Sequence, residues 1–347
     1  MRIIPRPALG RALSSPPVRP SGSWVAPSPA RARVALCGVP AALALCLVFC
    51  WAAADVSAPA RIDPEYLVRR NLLRDRLAEH PDARLVVVLG SSRVGMGFAP
   101  ETVPPAPTDR PTIWFNASHV GAGPLFNLVV LNRLLAEGIR PAAAVIEVMP
   151  AFFARENPRF VGPYLSAREL AFASDYLPAG RLGWQCVRRR YTRPWSLKQL
   201  ADPESATAPL LPLGGRAHLE EEITPEDRAA RVAGQEQMHG PAARELEVTP
   251  GADRALRDAL RACRERGIVP VLLLAPESTA FRRWYDPDRL RHFEEYLAAV
   301  SRENGANLID ARGWLADDAF TDGHHPLRRG AAAFSERLIS TVAGSPG

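Results

Sequence analysis

The sequence predicts an α/β domain with a largely parallel central sheet, preceded by one N-terminal transmembrane helix. Three observations predict it. Aliphatic runs of strand length, such as Leu85-Val86-Val87-Val88-Leu89, recur along the chain; amphipathic helical patterns separate them; and residues 34–54 carry no formal charge over 21 positions.

Residues 1–33 hold six arginines, seven prolines and no acidic residue. Such a stretch cannot bury a core and is expected to be a disordered basic tail. Removing those six from the 43 basic residues leaves 37 against 37 acidic ones, so the pI of about 9.4 is no argument for a nucleic-acid partner.

The apolar stretch 34–54, with Leu36, Leu43, Leu45, Leu47, Val48, Phe49 and Trp51, is long enough to cross a hydrocarbon core of roughly 30 Å at about 1.5 Å per residue. Arginines precede it and Asp55 follows it. The positive-inside bias therefore places the tail in the cytoplasm and the remainder, 60–345, outside it, periplasmic or at the cell surface. Small residues at Ala52-Ala53-Ala54 and Val56-Ser57-Ala58 leave a cleaved signal peptide as the alternative.

Within 60–345 the elements follow in order. Residues 64–79 space Leu67, Leu72, Leu73 and Leu77 as a helix, and Arg84–Leu89 is a buried strand ending at Gly90. Thr112–Phe115 is a second strand, Leu125–Glu137 a helix stopped by Gly138, and Ala142–Val148 a third strand. Asp253–Arg266 is an amphipathic helix closed by Gly267 and followed by the strand Ile268–Leu274. A helix over Pro287–Glu303, a short strand over Ala306–Ile309 and a last helix opening at Pro326 complete the series. The region 151–250 breaks the rhythm with Arg188-Arg189-Arg190, a Pro- and Ala-rich stretch and Glu220-Glu221-Glu222, and reads as an irregular insertion.

Of five cysteines, three lie in the apolar stretch; Cys186 and Cys263 remain, with no metal-ligand spacing. Cys263 reads as a buried thiol on a helix face. No Gly-x-Gly-x-x-Gly fingerprint or phosphate loop is present, so neither a dinucleotide nor a nucleoside triphosphate is indicated, and no cofactor is expected.

Two short blocks carry chemistry. Gly90-Ser91-Ser92-Arg93 follows a strand, where reactive positions of open parallel sheets lie, and Gly90 allows a sharp turn that presents Ser92. Asp322-Gly323-His324-His325-Pro326 sets a carboxylate and an imidazole three residues apart. A serine hydroxyl needs a base, and the base needs a partner that fixes its tautomer. Ser92 as nucleophile, His325 as base and Asp322 as its orienting group meet that requirement. For Ser91 and Ser92 the plain alternative is helix capping. Glu147, at a strand end, either lines the site or pairs with an arginine in the crevice. His119 reads as a loop histidine, and Glu277, Trp284 and Tyr285 as packing or a substrate wall.

These blocks resemble the SGNH, or GDSL-like, esterase and acyltransferase superfamily over roughly residues 84–340. The resemblance implies a three-layer flavodoxin-like fold and an acyl-serine intermediate, with Ser92, Asp322 and His325 in the catalytic positions. It also implies oxyanion donors from the Ser92 backbone and from Gly121 or Gly123. The family's third block, which supplies an oxyanion Asn, is replaced by Ile146-Glu147-Val148-Met149-Pro150, leaving Asn116 either as a substitute donor or as a residue that fixes a turn through its own backbone. The Gly-Ser-Ser variant with an N-terminal anchor looks like the extracytoplasmic branch containing D-alanyl-transfer and polysaccharide O-acetylation proteins. An acyl ester or glycan of the cell envelope is the implied substrate; the alternative is a catalytically inactive binding or assembly protein of the same shape.

Overall fold

The computed structural model describes residues 36–46, 48–49, 63–104, 111–155, 162–177 and 222–344. The chain divides into two compact units, Met1–Ala53 and Ala54–Gly347.

In the first unit, residues 36–46 and 48–49 are helical and exposed, with Leu36, Val39, Leu43, Leu45, Val48 and Phe49 facing outward. Among the described residues no helix is long and apolar enough to cross a membrane. The expected span 34–54 lies partly outside them, as the tail 1–33 does wholly.

Among the described residues of the second unit, four helices start with the same device, a capping oxygen followed by a proline that has no N–H to leave unpaired. They are α1 (Pro64–Glu79, capped by Asp63), α6 (Pro225–Arg244, Thr224), α7 (Pro250–Arg264, Thr249) and α9 (Pro287–Asn304, Asp286). Around them run β1 (Arg84–Leu89), α2 (Ser92–Gly97), β2 (Thr112–Asn116), α3 (Pro124–Ala136) and β3 (Ala143–Glu147). Then come α4 (Pro150–Ala154), α5 (Ala167–Ala173), β4 (Val269–Leu274), α8 (Thr279–Arg282), β5 (Asn307–Asp310) and α10 (Arg328–Ala343).

The five strands form one sheet in the order β2-β1-β3-β4-β5, every described pairing parallel. Side chains alternate across it. Leu85, Val87 and Leu89 join a core with Leu131 of α3, Leu256 of α7 and Leu297 of α9, while Val86 and Val88 join another with Val94 of α2 and Phe334 and Leu338 of α10. Two helical layers thus cover one sheet, as parallel sheets buried on both faces require. Strand order reverses at β1, so the crevice beyond its carboxyl end is the expected place for a site.

The region 151–250 is not uniformly irregular: α4, α5 and the 20-residue α6 lie at or within it. The last helix starts at Arg328 rather than Pro326, because Pro326 pairs with Phe320 in an isolated antiparallel bridge. Cys263 is a buried free thiol, pushed up to about 12 by burial. Cys186, Arg188–Arg190 and Glu220–Glu221 lie outside the described residues.

Candidate active site

Gly90 carries the chain from β1 past the end of β3. A Cβ there would stand 2.6 Å from Glu147 Oε2 and 2.8 Å from Glu147 Cβ, so no larger residue fits. Ser91 caps α2, its hydroxyl accepting the Arg93 N–H at 3.3 Å. The capping role thus falls to Ser91, which leaves the half-buried Ser92 hydroxyl available.

That hydroxyl lies 2.8 Å from His325 Nε2, and His325 Nδ1 lies 2.7 Å from Asp322 Oδ2. An ionised carboxylate only accepts, so the proton sits on Nδ1 and Nε2 is left to accept from Ser92. Burial favours the neutral acid at Asp322, but the His325 hydrogen bond and the neighbouring imidazoles outweigh it and hold the carboxyl well below its usual range. Its Oδ1 also accepts the backbone N–H groups of His325, at 2.9 Å, and His324, at 3.3 Å.

The 320–326 loop is tied from two sides. Gly323, at φ +97°, gives its carbonyl to the Ser278 N–H at 2.8 Å. From above, α6 sends Arg228 Nε to the Phe320 carbonyl (2.9 Å), Arg231 Nη1 to Thr321 Oγ1 (3.0 Å) and Gln235 Nε2 to Asp322 Oδ2 (3.0 Å). His324 is buried in an aromatic nest, its ring centroid 4.9 Å from Phe281 and 5.3 Å from His239. Burial, then the charge of Arg93, pushes His239 down to about 4; burial pushes His324 down too.

Below the turn, Arg93 is buried between Glu147 (Nε to Oε1, 3.4 Å) and Glu277 (Nη1 to Oε1, 3.1 Å). These are ion pairs by distance; the aligned hydrogen bonds of the guanidinium run from Nη2 to the carbonyls of Ala275 and Pro276. Of the two readings of Glu147, the arginine pair is the one observed. Burial raises the Glu277 carboxyl against the pull of Arg93, and Tyr285 donates its hydroxyl to it at 2.9 Å. Trp284 and Tyr285 are buried packing residues.

Asn116, expected as a substitute oxyanion donor or a turn-fixing residue, has its amide engaged by the backbone. Its amide nitrogen donates to the carbonyls of Val94, Gly95 and Phe98, and its oxygen accepts the Ser118 N–H, which uses the whole group to join β2 to α2. Gly121, at φ +71°, turns the chain between β2 and α3, and Gly123 is the N-cap of α3. His119 is buried, with Asp63 and Glu65 at 3.7 and 3.5 Å; its carboxylate neighbours come from α1 and its cap, distant in sequence.

Asp322, His324 and His325 present ligand atoms within 4.8 Å of one another, a grouping able to hold a metal ion. Both nitrogens of His325 are engaged with Asp322 and Ser92, so a metal there would displace the serine relay.

Sequence reasoning missed Gln235, which sits on a helix without a readable apolar stripe, and the buried setting of Arg93. For Arg93 a signal existed: a charged residue next to an aliphatic strand at a sheet's crevice needs a buried partner.

A family model described as "Protein of unknown function (DUF1574)" matches residues 61–172. No curated protein matches the chain. Among solved structures, it is similar to a candidate acylhydrolase from Bacteroides fragilis NCTC 9343 (13% identity, TM-score 0.37, 77% of this chain and 92% of that one). It is also similar to TesA (15%, 0.36, 75% and 98%) and to LAE5, an alpha/beta hydrolase enzyme from the metagenome of Lake Arreo, Spain (11%, 0.31, 76% and 98%).

Proposed function

We infer that the chain is an SGNH-type serine esterase or O-acyltransferase working through an acyl-Ser92 intermediate. The observation that supports it is the continuous hydrogen-bonded series Ser92–His325–Asp322. Ser92 Oγ attacks the acyl carbonyl carbon while its proton passes to His325 Nε2. The tetrahedral adduct collapses, the bond to the leaving oxygen breaks, and His325 returns the proton to that oxygen. His325 then takes a proton from the acceptor hydroxyl, which attacks the acyl carbon; the acyl–Oγ bond breaks as His325 Nε2 returns that proton to Ser92 Oγ, restoring the free serine. Water as acceptor makes an esterase, a sugar hydroxyl a transferase. Asp322 keeps His325 in the needed tautomer, and the N–H groups of Ser92 and of Gly121 or Gly123 serve the oxyanion.

In this reading residues 34–54 anchor the chain in the membrane as a single span, and the α/β unit works outside the cytoplasm on an envelope ester or glycan. The basic tail and the charge-free stretch support that placement; protease accessibility of the α/β unit in intact cells tests it.

A second reading, an inactive binding or assembly protein of the envelope, draws on the committed Asn116 and the inward-turned Glu147. One missing oxyanion donor costs about 2.7 to 4 kcal/mol of transition-state stabilisation, which slows such an enzyme without abolishing it. A fluorophosphonate probe separates the two: the full chain labels and Ser92→Ala does not if it is an enzyme, and neither labels if it is a scaffold.

A further inference from the structure

The proton relay makes no use of the charged cluster beneath the nucleophile turn. Arg93, Glu147 and Glu277 are 3%, 3% and 0% exposed. Desolvating such charges generally costs more than their attraction returns, and apolar residues of equal volume commonly serve a fold as well. Stability alone is therefore a poor reason for a chain to keep them here.

Their geometry supplies another reason. The Arg93 guanidinium bonds the carbonyls of Ala275, at 2.8 Å, and Pro276, at 3.3 Å, just beyond β4. It also lies against Glu147 Oε1 and Glu277 Oε1. The other oxygen of Glu147, Oε2, accepts the backbone N–H of Ser91. The residues on both sides of Ser92 are thus held by one carboxylate, Ser91 through its main chain and Arg93 through its side chain. The close approach of Gly90 to the same carboxylate leaves the turn no room to shift toward β3.

We propose that Arg93 and Glu147 are positioning residues that hold the Ser92 hydroxyl on His325, with Glu277 securing the far side of the guanidinium. This rests on the acyl-serine reading and extends it. The end of β3 provides no side-chain donor to the oxyanion; it provides the clamp on the nucleophile.

The test separates a hydrogen-bonding clamp from simple packing. Glu147→Gln keeps an acceptor for the Ser91 N–H, Glu147→Leu removes it, and Arg93→Lys keeps the charge but not the planar fork. Fluorophosphonate labelling of the full chain, resolved into a half-saturating concentration and a maximal rate, is measured beside thermal unfolding. Crystal structures of the same proteins give the Ser92–His325 separation.

Glu147→Gln offers one acceptor oxygen to two donors, Ser91 N–H and Arg93, so it is expected to label at a rate between those of the unsubstituted chain and Glu147→Leu. Folded Glu147→Leu and Arg93→Lys are expected to lose on the order of 10²-fold in maximal rate, since a displacement of about 1 Å has that effect. Their half-saturation should be unchanged and their Ser92–His325 hydrogen bond broken. Where a single variant does not fold, R93M/E147L/E277Q removes the buried charges together and is expected to fold with Ser92 displaced from His325. Folded variants that label at the original rate and keep that hydrogen bond overturn the proposal. A chain that never labels, yet shows Ser92 displaced from His325 in Glu147→Leu, fails the enzyme reading and keeps the clamp.

Discussion

The amide of Gln235 and the imidazole of His325 bond to the same oxygen of Asp322, at 3.0 and 2.7 Å. A helix from the region between β3 and β4 thereby completes the shell around the carboxylate that orients the base. Hydrogen bonds to charged groups contribute about 1.5 to 3 kcal/mol. Gln235→Leu is expected to slow Ser92 labelling about tenfold and to lower the unfolding temperature modestly. Gln235→Glu sets a like charge beside Asp322, so its defect should deepen as pH rises from about 4 to 7 and the new carboxyl ionises.

Asp322→Asn keeps the shape and removes the acceptor that fixes the His325 tautomer. Labelling, or turnover of a short-chain aryl ester, should fall by roughly 10³ to 10⁴-fold, and His325→Ala should do the same. A drop of less than tenfold in either would mean that Ser92 is activated by something else.

Stability should depend on the buried histidines. His239 stays neutral in the folded chain down to about pH 4, whereas an unfolded imidazole binds its proton below about 6.5. Between those values the unfolded state holds more protons, so the contribution of His239 is full above pH 6.5 and declines as pH falls towards 4. The His239 shift corresponds to about 3 kcal/mol, and His324, also pushed low, acts in the same direction. His119, which burial lowers but Asp63 and Glu65 raise on balance, acts the other way, its contribution full below 6.5 and lost at higher pH. The depressed carboxyls of Asp63 and Asp322 add their own loss below about pH 4. Urea unfolding at pH 7, 5.5 and 4.5 measures the slope, and His239→Phe should flatten its upper part.

Gly90→Ala would push a methyl into the Glu147 carboxylate and to 3.1 Å from Val94 Cβ. Overpacking of this kind costs about 1 to 3 kcal/mol, occasionally more. Because the obstructing group also holds Ser91, labelling should fall together with unfolding temperature. Unchanged values for both would show that the turn can move.

The sheet was legible because its strands are aliphatic runs bounded by turn residues: Arg84–Leu89 matches its observed limits, and the strand expected over Ala142–Val148 is shorter by one residue at each end. Helices with a readable apolar face, such as α7 and α9, were legible for the same reason. Helix α6 was not. Its interior holds Gly234, Gly240 and Pro241, which local rules read as breakers, and its buried residues His239, Gly240 and Ala243 sit together near one end. The place of Ser92 beyond β1 followed from strand-end chemistry; its meeting with Asp322 and His325, which stand before the last helix, followed from pairing that serine with an Asp-x-x-His block and from the family resemblance. The fate of Asn116 did not, because its three carbonyl partners exist only once α2 packs against β2.

Acylation of Ser92 is measured by intact-mass and peptide analysis of the full chain quenched during reaction with an activated short-chain ester. One acyl group is expected on the peptide containing Ser92, formed rapidly, discharged by water or a sugar acceptor and absent from Ser92→Ala and His325→Ala. Ester turnover with no adduct at Ser92, or turnover undiminished in Ser92→Ala, would contradict an acyl-Ser92 intermediate.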